Sequence, residues 1–123
     1  MPMIAIEEVI QAMLWMNRLY VGERAEKKRE EILSGIREGR LQMGVYVLTL
    51  ASHPDNQLDI YPSNVLLQPY YKKKEDLTVV GIARGREEAL LLVSQITTEA
   101  YRAYGTPDLR RYLAKRMEED GDA

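Results

Sequence analysis

This chain of 123 residues contains no cysteine, no phenylalanine, one histidine and one tryptophan. Without cysteine there is no disulfide, no thiolate metal site and no cysteine nucleophile. That absence suits a reducing compartment, and a cytoplasmic location is expected. The acids are scattered without ligand spacing around the single His53, so neither a metal nor another cofactor is expected. No apolar run approaches the roughly 20 residues that a membrane span requires, and no membrane association is expected. The opening MPMIAIEEVI has acids where a secretion signal has a basic stretch, so no such signal is expected. Neither sign of charge dominates: 17 Lys and Arg against 19 Asp and Glu leave a formal net charge of −2. The chain as a whole therefore has no attraction for nucleic acid. In place of phenylalanine there are eight tyrosines, whose polar tips suit half-buried positions and interfaces.

What is present is ordinary for a globular protein: 46% apolar and 29% charged residues. The length suits one domain with a single core. That domain is expected over residues 1–117, followed by an acidic tail, residues 118–123, that frays.

The most informative stretch begins at Leu77. Leu77 to Ala83 is short, β-branched and uncharged, the pattern of a strand covered on both faces. Arg84 and Gly85 supply a turn, Gly85 because it takes φ > 0 without strain. Glu87 and Glu88 then fall in a first helical turn, where carboxylates favour the positive end of the helix dipole. Ala89, Leu92, Val93, Ile96, Ala100 and Tyr104 recur at helical spacing, and Gly105 stops the helix. Leu90 and Leu91 widen the stripe, which predicts cover on more than one side near the helix start.

Upstream, Ile6, Val9, Ile10, Met13 and Tyr20 follow helical spacing, which predicts a helix over 4–21. Leu14, Trp15 and Leu19 lie off that stripe. Gly22 either interrupts the helix, making a hairpin, or lies within a long helix reaching Glu38. Continuous, that helix would span about 50 Å, against a radius of gyration of about 14 Å for a domain of this size. The run ERAEKKREE, residues 23–31, is a solvated helical face of mixed charge. Ile32, Leu33 and Ile36 return to the core, and Gly39 ends the helix. Gly44 to Ala51 and Gln57 to Tyr61 predict an antiparallel hairpin across the turn SHPDN. Ser63 caps a short helix through Leu67. Thr106, Pro107 and Asp108 start a last helix docked by Leu109, Tyr112, Leu113 and Met117. The expected fold is α+β: a small, mainly antiparallel three-stranded sheet packed by helices, with a long N-terminal helix or helical hairpin.

Three places are candidates for chemistry. His53 with Asp55 has the makings of an oriented general base, but sequence proximity does not define such a pair, and a solvated turn residue accounts for it. The Gly81 to Arg86 turn joins a strand to a helix, a setting in which backbone N–H groups cradle phosphates, with Arg84 and Arg86 to add charge. It lacks both glycine-rich phosphate patterns, and Glu87 and Glu88 would repel an anion. Tyr70 and Tyr71 beside Lys72, Lys73 and Lys74 combine stacking rings with cations, as nucleic-acid contacts do. Arg37, Arg40, Arg110 and Arg111 would extend that patch if the fold gathered them, yet Glu75 and Asp76 follow at once.

The expected function is that of a non-enzymatic interaction domain acting through protein–protein contact, as a homodimer or with another protein. The interface is expected at Leu14, Trp15 and Leu19, the apolar surplus of the first helix. The alternatives are a nucleic-acid accessory protein using Lys72 to Lys74 and, last, a ligand binder or small enzyme using His53 or the Gly81 to Arg86 turn.

Overall fold

The computed structural model describes residues 14–51, 57–67 and 78–121. In chain order these form β1 (Leu14–Val21), α1 (Glu23–Glu26), α2 (Arg29–Arg37), β2 (Val45–Leu50) and β3 (Leu58–Pro62). A 3-10 helix (Ser63–Leu67), β4 (Thr78–Arg84), α3 (Arg86–Tyr104) and α4 (Leu109–Gly121) complete the described elements. The four strands make one mixed sheet in the order β1-β4-β2-β3. β1 runs parallel to β4, while β2 is antiparallel to both β4 and β3.

This corrects the expected three-stranded, mainly antiparallel sheet with a long N-terminal helix. Residues 14–21 are a strand, and Gly22 is extended backbone preceding α1, neither a helix interior nor a hairpin bend. The physical reason lies in the two-sided burial of β1. Met16 and Tyr20 pack into the core on one face of the sheet, and Trp15 and Val21 pack on the other. An apolar strand covered on both faces carries no alternation, and over a short window its residues also match helical spacing.

The hairpin forms as expected, with Leu48 opposite Ile60 and Leu50 opposite Leu58. In β4 the pairing with β2 slips by one residue: Leu48 faces Gly81 and Thr49 faces Val79, leaving Val80 extra. That bulge sends Val79 and Ile82 to one core and Val80 and Ala83 to the other. Helices therefore cover both faces. α1 and α2 bury Ala25, Ile32, Leu33 and Ile36 against Val45, Val47, Val79 and Ile82. On the far side, Ala89, Leu92, Ile96 and Ala100 of α3, with Leu109 and Leu113 of α4, cover Leu48, Val80 and Ala83.

α3 has the expected stripe and ends at Gly105, whose φ of 73° is left-handed. Leu90 and Leu91 differ from expectation, since both are exposed. α4 is capped by Asp108, which accepts from the Arg111 N–H at 3.2 Å. The helix continues through Glu118 and Glu119 to Gly121.

Candidate functional site

Two adjacent parallel strands end side by side, and the chain leaves them in opposite directions. From β1 it passes through Gly22 into α1 on one face of the sheet; from β4 it passes through Gly85 into α3 on the other. In open α/β sheets this divergence creates a crevice outside the carboxyl ends of the strands. Gly85 makes the departure with φ 96°, a backbone region that favours glycine, and its N–H donates to the Gly44 carbonyl at 2.7 Å.

The inner wall of the crevice is closed by Glu88. This carboxylate is only 8% exposed. One oxygen accepts from the N–H groups of Ala25 and Arg84, both at 3.0 Å, and the other from the Arg24 N–H at 2.8 Å. Gly22 stands at the N-cap of α1 and has no side chain with which to cap it; Glu88 caps it from across the fold. The exchange depends on the glycine, since a Cβ at position 22 would sit 1.9 Å from the Glu88 Oε1. Burial by itself would raise the Glu88 pKa. The backbone donors of Arg84, Arg24 and Ala25, with the Arg24 charge, outweigh burial and hold it below the ordinary carboxyl value. Within the Gly81 to Arg86 turn the Arg84 N–H is thus taken by the protein's own carboxylate, and the Gly85 N–H by the Gly44 carbonyl.

Outside Glu88 the crevice opens into a hollow of about 930 Å³ lined by Val21, Arg24, Lys27, Arg84, Arg86, Leu91 and Gln95 among others. A second hollow of about 710 Å³ shares Arg24, Lys27, Arg84 and Gly85 and adds Lys28, Met43 and Gly44. Arg24, Lys27, Arg84 and Arg86 are exposed, and none of the four is ion-paired among the described residues. Glu23 and Glu87 border the first hollow as well, so the charge is mixed, with a cationic excess facing solvent.

A second polar cluster lies on the α3 side. Glu99 Oε1 accepts from the hydroxyls of Tyr20 at 2.6 Å and Tyr112 at 2.9 Å, and from Arg116 Nη1 at 3.3 Å. Gln95 donates to its other oxygen at 3.0 Å. The Arg116 guanidinium also lies 4.5 Å from the Tyr20 ring centroid. Burial raises the Tyr20 pKa, and the Glu99 carboxylate adds to the rise. For Glu99 burial again acts upward, but the hydrogen bonds of Tyr20, Gln95 and Tyr112 and the Arg116 charge prevail and hold it low. This cluster fastens α4 to β1 and α3.

Of the residues singled out in the sequence, Arg84 and Arg86 meet in the crevice. His53, Tyr70, Tyr71, Lys72, Lys73 and Lys74 lie outside the described residues. The arginines that were to extend a patch are not gathered. Arg37 stacks over Trp15 with its guanidinium 5.9 Å from the ring, and Arg40 pairs with Glu38 at 2.9 Å. Arg110 donates to the Ala51 carbonyl, and Arg111 covers Tyr104 at 4.0 Å. Trp15 and Leu19 are half-buried against the core on β1, and Leu14 begins that strand. The helical ridge on which self-association through these residues was argued is therefore absent. Arg24, Lys27 and Glu88 were not foreseen as a set. The first two sit in a charged run with the composition of a solvated face. Glu88 does carry a local sign, a carboxylate three residues past a turn glycine, where it can reach back to the helix start.

Among the described residues no group of three or more His, Cys, Asp or Glu side chains is placed to hold a metal ion, and no helix is long and apolar enough to cross a membrane. No family model, curated protein or solved structure matches the chain.

Proposed function

We propose that this protein is a binding domain without chemistry of its own, and that its binding surface is the crevice at the carboxyl ends of β1 and β4, which takes an anionic ligand. The observation that carries the reading is the convergence of Arg24, Lys27, Arg84 and Arg86, free of ion pairs among the described residues, on one hollow. The hollow is built by the divergence of two parallel strands. Cations held together raise the local concentration of anions. Glu88 opposes this less than a surface acid would, because its charge is spent on three backbone donors.

The test is a fluorescence-anisotropy titration of a labelled oligoglutamate at low salt. Saturable binding is expected, weakening as salt rises. Replacing Arg84 and Arg86 together by Ala should weaken it by up to about thirtyfold, since each exposed charge contact supplies up to about 1 kcal/mol. No binding by the unmodified protein would remove the reading, as would equal binding by the variant.

A further inference from the structure

We infer that the crevice is matched to a protein segment: an extended acidic stretch with an apolar side chain on each side of its charges. The inference rests on the anion-binding reading above and specifies its ligand. Among the described residues five large apolar side chains are exposed; two of them, Leu91 (69%) and Met43 (82%), border this groove, and a third, Leu41 (65%), borders a smaller hollow that shares Met43 and Arg84 with it.

Their arrangement follows from the two hollows. Leu91 borders the first, beside Arg84 and Arg86; Met43 borders the second, beside Lys28 and Gly44. The shared middle is Arg24, Lys27, Arg84 and Gly85. A ligand crossing from one hollow to the other therefore meets an apolar side chain, then cations, then an apolar side chain. Leu41 joins Met43 and Arg84 around a smaller hollow of about 210 Å³, which extends the second apolar end.

An isolated anion would use the cations and leave the leucine and methionine in water. A nucleic-acid strand would bring phosphates but little aliphatic surface, and the described lining of both hollows has no aromatic ring on which to stack a base. Acidic protein segments carrying leucine or a similar residue supply both chemistries. Exposed apolar side chains gathered around one groove mark interaction surfaces of this kind, and methionine adapts to varied partners.

Two labelled peptides of equal charge decide the matter, one with leucines at both ends of a glutamate run and one with serines there. A single-stranded oligonucleotide of the same charge is the third probe. The leucine peptide should bind at least about tenfold more tightly than the serine peptide, as expected when side chains of this size leave water. Leu91→Ser with Met43→Ser should abolish that advantage, weakening the leucine peptide about tenfold relative to the serine peptide. Both positions are exposed, so the variant should melt as the parent does. Equal binding of the two peptides, or oligonucleotide binding as tight as that of the leucine peptide, would overturn the inference and leave the anion-binding reading standing. If none of the three probes binds, that reading falls as well.

Discussion

Three backbone N–H groups from two separate segments converge on the Glu88 carboxylate, so its removal acts on several elements at once. Buried donors left without an acceptor cost about 1–3 kcal/mol each, an amount reduced here because the crevice admits water. Glu88→Ala should therefore destabilise the protein by about 2–3 kcal/mol in urea denaturation, and Glu88→Gln, which keeps one carbonyl oxygen, by less. A loss under 0.5 kcal/mol, the range of an ordinary surface substitution, would show that Glu88 does not cap α1. Gly85→Val tests the turn beside it, because a β-branched residue is strongly strained at φ 96°; an unchanged melting midpoint would mean the turn relaxes freely. Thr49 points the other way. It is fully buried and its hydroxyl has no hydrogen-bond partner among the described residues, so Thr49→Val should be neutral or stabilising by about 1 kcal/mol. A lower denaturation midpoint for that variant would show that the hydroxyl is satisfied.

At the scale of elements, one carboxylate ties α4 to both β1 and α3. Glu99 accepts from Tyr112 and Arg116 of α4 and from Tyr20 of β1, while Leu109 and Leu113 supply the buried contact. Glu99→Ala should cost about 1–2 kcal/mol, since the cluster is partly exposed and screened. It should also raise hydrogen exchange in residues 109–121 before the sheet is affected. Uniform acceleration across the chain would mean that α4 is no separable unit. The same elements show what a sequence can disclose. α3 and β4 were legible because Gly85 and Gly105 bracket a helical stripe and β4 is an uninterrupted β-branched run. The hairpin was legible from the alternation of Leu58, Asp59, Ile60 and Tyr61. β1 was not, because Trp15, Met16, Leu19 and Tyr20 are divided between two cores that exist only once helices cover both faces. The parallel pairing of β1 with β4 joins segments about sixty residues apart, and no local signal encodes it. The crevice inherits that blindness: Arg84, Arg86 and Glu88 follow β4, whereas Gly22, Arg24 and Lys27 come from the other parallel strand's exit.

On the scale of the whole molecule, α3 is the tie between the layers. Near its start Glu88 reaches α1 on the opposite face of the sheet, and further along Glu99 holds α4. Both carboxyls have folded pKa values depressed below the ordinary 4.5. A depressed carboxyl contributes stability that is fully present above its unfolded pKa and is lost as pH falls through the folded one. The loss is thus expected to begin near pH 4.5 and to deepen below it, with both faces of the sheet losing a helix contact together. Urea midpoints measured from pH 7 down to pH 3 should fall steeply over the acid part of that range for the parent. Glu88→Gln and Glu99→Gln should each start lower at pH 7 and flatten the acid fall in part, and the double variant should flatten it most. The two sites share no hydrogen-bond partner, so their contributions at pH 7 should add within about 0.5 kcal/mol. An acid fall as steep in the double variant as in the parent would assign the pH dependence to other groups and detach it from the two ties of α3.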